Sequence, residues 1–295
     1  MKAVIAVGGI GSRFFPITKS ISKAMMPILN QPLIAYAIAD CIAAGAHEIA
    51  FAPTPGETSR QVRHYLTEDH DLRRLLSEHG WDDKYAPLSE LHRQADFTFL
   101  EQPRDGRYGT ALPAMLADDF IADDDFLLIT SDDLLLRSDG GSDLADLAAA
   151  RAAAGTPGAL AAATVAGADA HRYGVLRPRP AGHSRRVLDE LVEKPTDYDL
   201  PTADISISRF LLPAAALDYF RTLKPAPNGE YDATDAVGAF ARDHDMLIHP
   251  VTGRYHDCGT PEGWLAANNA VATAQGLTAA YASRRSHSVE RPSSS

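Results

Sequence analysis

An α/β protein with a mixed, mostly parallel sheet flanked by helices is what this sequence predicts, on three observations. Short apolar runs alternate with stretches of helical periodicity, the pattern of a doubly wound sheet. The first apolar run, Ala3 to Val7, feeds directly into a glycine-rich turn at Gly8, Gly9 and Gly11. A later run, DFLLIT at 125–130, is followed by Ser131 and the consecutive carboxylates Asp132 and Asp133. Open α/β sheets bind ligands beyond the carboxyl ends of their strands, so both turns are candidate sites.

Residues 3–7 form the first expected strand. Pro32 opens a helical pattern in which Leu33, Ile34, Ala37, Ile38, Cys41 and Ile42 share one face, and Gly45 closes it as the C′ residue. EIAFA at 48–52 is the second strand, broken by Pro53-Thr54-Pro55-Gly56. Residues 57–79 read as one polar helix, with Val62, Leu66, Leu72, Leu75 and Leu76 on a buried stripe. The stretch 80–95 has no clean period and reads as an excursion between helix and strand. DFTFL at 96–100 is the third strand, Gly109 to Ala117 a helix whose first turn is limited by Pro113, and DFLLIT a central strand. Ser142 caps a helix that runs to Ala154.

From about residue 158 the pattern changes. Strand-like runs at 159–165, 173–177, 186–192 and 203–212 make a smaller, sheet-rich half suited to a second substrate. Helices near 213–222 and 232–242, a strand at 246–251 and a helix from Pro261 to about Gln275 complete the chain. The polar tail 283–295 reads as disordered.

Composition narrows the function classes. The 295 residues, 45% hydrophobic, are enough to bury a large core. A net charge of -11 argues against nucleic-acid binding through bulk charge, so a phosphorylated substrate must be met by local cations such as Arg13, Lys23 and Lys194. No run is long enough for a membrane span, and the N-terminus lacks the pattern of a signal peptide. Two distant cysteines, Cys41 and Cys258, form no disulfide framework, and a cytoplasmic setting is expected.

The chemistry sits in a few short motifs. A buried strand feeding a glycine-rich loop brings backbone N–H groups to phosphate oxygens, and Arg13 and Lys23 add charge suited to a triphosphate. A tight strand-to-helix turn with two solvated cations has the same sequence signature. One of Asp132 and Asp133 can hold Mg²⁺ against triphosphate oxygens, because a small hard cation prefers carboxylate and phosphate oxygen. A solvated turn is the plainer alternative.

GGIGSRFFPITKSISKAMMP at 8–27 resembles the signature loop of the sugar-1-phosphate nucleotidylyltransferases, G-x-G-T-R-x-x-P-x-T…P-K-x-x-x-P. Within that family it is most similar to the bacterial UTP–glucose-1-phosphate uridylyltransferases. Gly9, Gly11, Arg13, Pro16, Thr18, Lys23 and Pro27 fall on the pattern. Ser12, Ser22 and Ala24 depart from it, the last standing where the uridylyl branch carries Glu. The resemblance spans residues 2–275 and implies a Rossmann-like fold and a role for each further motif. Asp132 and Asp257, the latter in YHDCG, would chelate Mg²⁺. Lys194 and Glu193 in VEKP would bind the sugar phosphate and the sugar hydroxyls, beside Tyr173 and Gly174 of the Y-G-V element. Gly8, Gly9, Gly11, Gln102, Gly106 and Gly109 would receive the nucleotide. Ser208 occupies a slot where the family has glycine.

One domain over 1–282 is therefore expected. Residues 1–157 would bind mainly the nucleotide, 158–260 mainly the sugar phosphate, and 261–282 would form a C-terminal helix. The implied reaction joins a nucleoside triphosphate, UTP or dTTP, to a sugar 1-phosphate, glucose 1-phosphate foremost. Its products are a nucleotide-sugar and pyrophosphate. Arg13, Lys23, Asp132, Lys194 and Asp257 would carry catalysis, with Mg²⁺ as cofactor and a homo-oligomer as the working state. One alternative is a non-catalytic nucleotide-sugar-binding protein of the same fold. Another is an NAD(P)-dependent oxidoreductase, which is disfavoured because Phe14 takes the third glycine position of a dinucleotide-binding turn.

Overall fold

The computed structural model describes residues 1–181 and 185–277. The expected disordered tail at 283–295, and the last residues of the expected C-terminal helix, lie outside them. In chain order, β1 (Lys2–Val7) is followed by a short hairpin, β2 (Pro27–Ile28) and β3 (Gln31–Pro32), and then α1 (Leu33–Ala43). β4 (Glu48–Pro53) leads into three helices, α2 (Glu57–Leu66), α3 (His70–Glu78) and α4 (Asp82–Gln94), and then β5 (Asp96–Phe99). The short helices α5 (Leu112–Leu116) and α6 (Asp118–Ile121) precede β6 (Phe126–Thr130), β7 (Asp133–Leu136) and α7 (Asp143–Ala154). β8 (Gly158–Ala166), β9 (Gly174–Ala181), β10 (Arg185–Glu193) and β11 (Thr202–Leu212) follow. The described chain closes with α8 (Leu217–Arg221), α9 (Ala233–Asp243), β12 (Met246–Pro250), β13 (Arg254–Asp257) and α10 (Pro261–Ala274).

Nine strands form one continuous sheet in the order β5-β4-β1-β6-β11-β8-β12-β10-β9. The strands β5, β4, β1 and β6 run parallel, as their apolar runs and helical connections require. Beyond β6 the pairing is mostly antiparallel, with β8 and β12 the parallel exception. The α/β class holds, and the parallel character belongs to the first half. The switch point is β1. Its Ala6 pairs with Ala52 of β4 on one side and Thr130 of β6 on the other, so the loops after β1 and β6 emerge side by side.

Alternation along the strands sends residues to both faces. In β6, Leu127 and Ile129 join a core with Ile34, Ile38 and Leu147, while Phe126 and Leu128 join one with Ala114, Phe220 and Phe240. Each such large apolar side chain contributes roughly 1.5–3 kcal/mol on burial. A third, smaller core packs Ile28, Leu33, Leu134, Cys258, Ala267 and Val271 beneath the candidate site.

Three expectations need correction. The single helix at 57–79 is two, α2 and α3, because Asp69 breaks it and caps α3 by accepting a hydrogen bond from the Leu72 N–H at 2.9 Å. Val62 and Leu66 are buried as expected, but Leu72 and Leu75 are 42% and 50% exposed. The stretch 80–95 contains the helix α4 despite Pro87, anchored by buried Tyr85, whose hydroxyl accepts from the Asp69 N–H at 2.8 Å. The helix expected from Gly109 starts at Leu112.

The deepest polar group is Arg209 on β11, with no exposed surface. Its guanidinium donates to the carbonyls of Asp133 at 2.9 Å and Ile207 at 3.3 Å. The carboxylates of Asp40 and Asp133 lie 3.6 and 3.7 Å away. Burial pushes the Asp40 carboxyl up to about 6, against the opposing pull of Arg209. Removing the guanidinium strands buried Asp133 and partly buried Asp40, so Arg209→Met is expected to cost about 3–5 kcal/mol in urea denaturation. A loss below about 1 kcal/mol would mean that these carboxylates need no counter-charge.

Candidate functional site

Two adjoining cavities open at the carboxyl ends of β1 and β6. The larger, about 810 Å³, is lined by Gly8, Gly9, Lys23, Gln102, Gly106 and Gly109. The smaller, about 240 Å³, is lined by Arg13, Arg172, Tyr173, Gly174, Glu193, Lys194, Ser206, Ser208 and Asp257. Asp132, Thr110, Thr130 and Glu230 line both. Of the residues expected to bind substrate, metal or nucleotide, Gly11 alone lines neither. Its backbone stands at φ 62 and its carbonyl accepts from the Thr18 hydroxyl at 2.9 Å, so it folds the loop onto itself.

Asp132 and Asp257 meet because β7 pairs antiparallel with β13, with Asp257 directly opposite Asp133. Lys23 reaches up from the loop after β1 and donates to Asp132 Oδ2 at 2.5 Å. Burial pulls the Lys23 ammonium down, but Asp132 outweighs it and holds the charge, with help from Asp133 and Asp257. Burial also raises the Asp132 carboxyl, and Lys23 overcomes that to leave it below its usual range. Asp133 is pushed the other way by burial and the neighbouring Asp132. Its two oxygens accept from the hydroxyls of Tyr255 and Thr130, each at 2.9 Å.

Asp257 accepts from the Gly259 N–H at 3.0 Å, from Arg172 Nη2 at 3.2 Å and from the Tyr173 hydroxyl at 3.4 Å. Across the smaller cavity, Lys194 donates to Glu193 at 2.7 Å, and the Thr234 hydroxyl donates to the other Glu193 oxygen at 3.3 Å. The hydrogen bond to Glu193 raises the Lys194 ammonium, reinforced by Asp232 and Glu230. In the larger cavity, one N–H of the Gln102 amide donates to the Ala52 carbonyl at 2.6 Å, which fixes the amide plane.

Sequence reasoning missed Thr110, Arg172, Ser206, Glu230, Asp232 and Tyr255. Asp232 caps α9, accepting from the Thr234 N–H at 2.9 Å and from the Thr110 hydroxyl at 3.0 Å, and so ties the loops of the two halves together. An Asp just before a helical pattern could have signalled that cap, and Arg172 stands next to the Y-G-V element. Nothing in sequence marks Glu230. Ala24 is 3% exposed in the core and lines neither cavity. Ser208 sits at φ 52 in a bulge of β11, a left-handed value that glycine adopts freely, with its side chain on the wall of the smaller cavity.

The family described as Nucleotidyl transferase matches residues 2–274. The UTP–glucose-1-phosphate uridylyltransferase of Pseudomonas aeruginosa is 26% identical over 272 residues, 91% of this chain and 94% of that protein. A second such enzyme, from Staphylococcus saprophyticus, is 27% identical over 264 residues, 90% of this chain and 89% of that protein. Among solved structures, an apo UDP-glucose pyrophosphorylase superposes with a TM-score of 0.83 at 25% identity, covering 93% of this chain and 99% of the other. A UDP-glucose pyrophosphorylase complexed with UDP-glucose gives a TM-score of 0.80 at 26% identity, over 92% and 98%.

Two glycines set the shape of the site. A Cβ on Gly259 would lie 2.9 Å from Asp257 Oδ1 and 3.3 Å from Asp132 Oδ2, so the bare backbone there leaves room between the two carboxylates. Gly109, at φ 129, packs so closely on Tyr231 that a Cβ would fall 2.2 Å from its carbonyl oxygen. Gly109→Ala combines a forbidden conformation with a backbone clash, and is expected to cost about 2–4 kcal/mol in chemical denaturation. A cost under about 1 kcal/mol would show that the two loops separate easily.

Proposed function

The chain belongs to the nucleotidyl transferase family, and on that premise we propose that it joins UTP to glucose 1-phosphate, giving UDP-glucose and pyrophosphate. The observation that carries the reading is the meeting, at Asp132, of a roomy cavity bearing the glycine loop and a smaller one bearing Lys194. Residues 1–157 serve mainly the nucleotide and 158–260 mainly the sugar phosphate, as one domain.

Gly8 and Gly9 present backbone to the triphosphate, and Lys23 supplies a partly buried positive charge beside it. Gln102 reads the base and Gly106 leaves room for base and ribose, whereas the space beside Gly109 is taken by the Tyr231 backbone rather than left to the ligand. Glu193 accepts from sugar hydroxyls, Tyr173 and Gly174 wall the sugar, and Lys194 holds its phosphate. A phosphate oxygen of the sugar 1-phosphate attacks the α-phosphorus in line. The new P–O bond forms as the bond to the β-phosphate oxygen breaks, and pyrophosphate leaves. The attacking phosphate is already a nucleophile, so no side chain needs to deprotonate it, and the protein contributes positioning and charge. Arg13 and Lys23 offset the charge on the departing pyrophosphate.

Asp132 and Asp257 suit a Mg²⁺ ion. Two carboxylates with a glycine-made space between them match a cation that takes one or two protein oxygens and fills its remaining positions with phosphate oxygens and water. Among the described residues no group of three or more His, Cys, Asp or Glu side chains is disposed to hold a metal ion by itself, so substrate oxygens would have to complete the shell. Bound there, the ion would neutralise phosphate charge.

Pyrophosphate release from a matrix of UTP, dTTP, ATP, GTP and CTP against several sugar 1-phosphates tests the reading. UTP with glucose 1-phosphate is expected to lead. Gln102→Ala is expected to flatten the preference for UTP over ATP by about tenfold or more. A wild-type preference for ATP or GTP would remove Gln102 from base selection.

Asp132→Asn and Asp257→Asn keep volume and remove one charge each. Each is expected to lower kcat/KM at least about a hundredfold while the thermal midpoint stays within a few degrees of wild type. Full turnover by either variant at limiting Mg²⁺ would sink the metal assignment.

A further inference from the structure

Both proposed metal ligands are already capped by cations of the chain itself. Lys23 sits on Asp132 and Arg172 on Asp257. The two caps differ. Lys23 is held in place by burial, with its side chain 19% exposed. Arg172 is 40% exposed, at the end of the 3₁₀ segment Gly167–Arg172, with its guanidinium 5.3 Å over the Tyr173 ring. It also has a second partner waiting, since its Nη1 lies 3.7 Å from Asp169. Its only grip on Asp257 is one 3.2 Å contact to Oδ2, while Oδ1 is taken by the Gly259 N–H. Arg172 shares the smaller cavity with Arg13, which is assigned above to the departing pyrophosphate, and with Lys194, whose ammonium is engaged by Glu193 at 2.7 Å. A sugar 1-phosphate arriving there carries about two negative charges, more than one paired lysine offsets.

From this geometry we propose that Arg172 is a placeholder for the divalent cation on Asp257 and, once displaced, a second phosphate-binding residue for the sugar 1-phosphate. The inference rests on the assignment of Asp257 as a metal ligand. A divalent cation at Asp257 repels a guanidinium in contact with the same carboxylate, and the guanidinium swings on its own side chain toward the phosphate. Its planar fork can meet two phosphate oxygens at once, which the point charge of Lys194 cannot. Metal loading and sugar-phosphate binding are thereby linked through one side chain, without movement of the sheet.

The test separates the metal from turnover. Mn²⁺ is titrated into the full chain without substrates, and free Mn²⁺ is read by electron paramagnetic resonance. Arg172→Gln removes the competing charge and is expected to bind Mn²⁺ about tenfold more tightly than wild type. In steady-state assays with Mg²⁺ the same variant is expected to raise the KM for glucose 1-phosphate about tenfold, with the KM for UTP within about twofold. Arg172→Lys restores part of the charge and should fall between. Asp257→Asn is the control for the underlying assignment. If Asp257→Asn leaves Mn²⁺ binding unchanged, the metal site itself is wrong. If Asp257→Asn weakens it but Arg172→Gln matches wild type, or if neither wild type nor Arg172→Gln binds Mn²⁺, the placeholder role is overturned. A rise in the UTP KM equal to that for glucose 1-phosphate overturns the phosphate role.

Discussion

Like-charge repulsion among three carboxylates governs the arrangement of this molecule. Asp132, Asp133 and Asp257 converge where β7 pairs with β13, and Asp133 is buried. Two unit charges about 4 Å apart interact by about 4 kcal/mol at the effective dielectric of a protein surface, and the repulsion grows with burial. The chain answers with one cation for each acid. Lys23 comes from the loop after β1, Arg209 from β11 below, and Arg172 from the segment before β9. These cations reach the seam from three separate regions of the chain. Most of the fold has to be in place before the three acids can lie together.

That long-range dependence separates what could be read in the sequence from what could not. β1, β4, β6 and α1 declare themselves by local period, because each buries its own apolar run or stripe. β7 and β13 do not. They are four residues each, DLLL and RYHD, and pair Leu135 with Tyr255 across the whole second half of the chain. No local pattern encodes such a partner. The motif residues were legible through the loop patterns they share with the resembled family, and the structure gathers them, Gly11 excepted, around the two cavities. The antiparallel half had a readable signal in the runs between 159 and 212, which follow one another without intervening helices long enough for parallel crossovers. Pro87 hid α4, because a proline interrupts the helical pattern even where buried Tyr85 holds the helix.

The departures from the resembled loop also find a physical place. Ala24 packs in the core, so the absence of a carboxylate there changes packing and leaves both cavity walls untouched. Ser208 does face the smaller cavity, held at a backbone angle that costs a serine more than a glycine. The polar groups of the site are mostly pinned before any ligand arrives: Gln102 by Ala52, Glu193 by Lys194 and Thr234, Asp232 by Thr110. Groups fixed in this way need little reorganisation on binding, which is how a charged site gains strength from its geometry.

The continuous sheet has a mechanical consequence. β11 is bonded to β6 on one side and β8 on the other, and touches β9 as well. A single strand thus rivets the two halves, and the hydrogen-bonded ladder leaves no hinge line along which they could fold toward each other like jaws. Traffic in and out of the cavities falls to the loops at the sheet's rim. The rivet therefore places the adjustable parts of this protein in its rim loops rather than in a hinge between its halves.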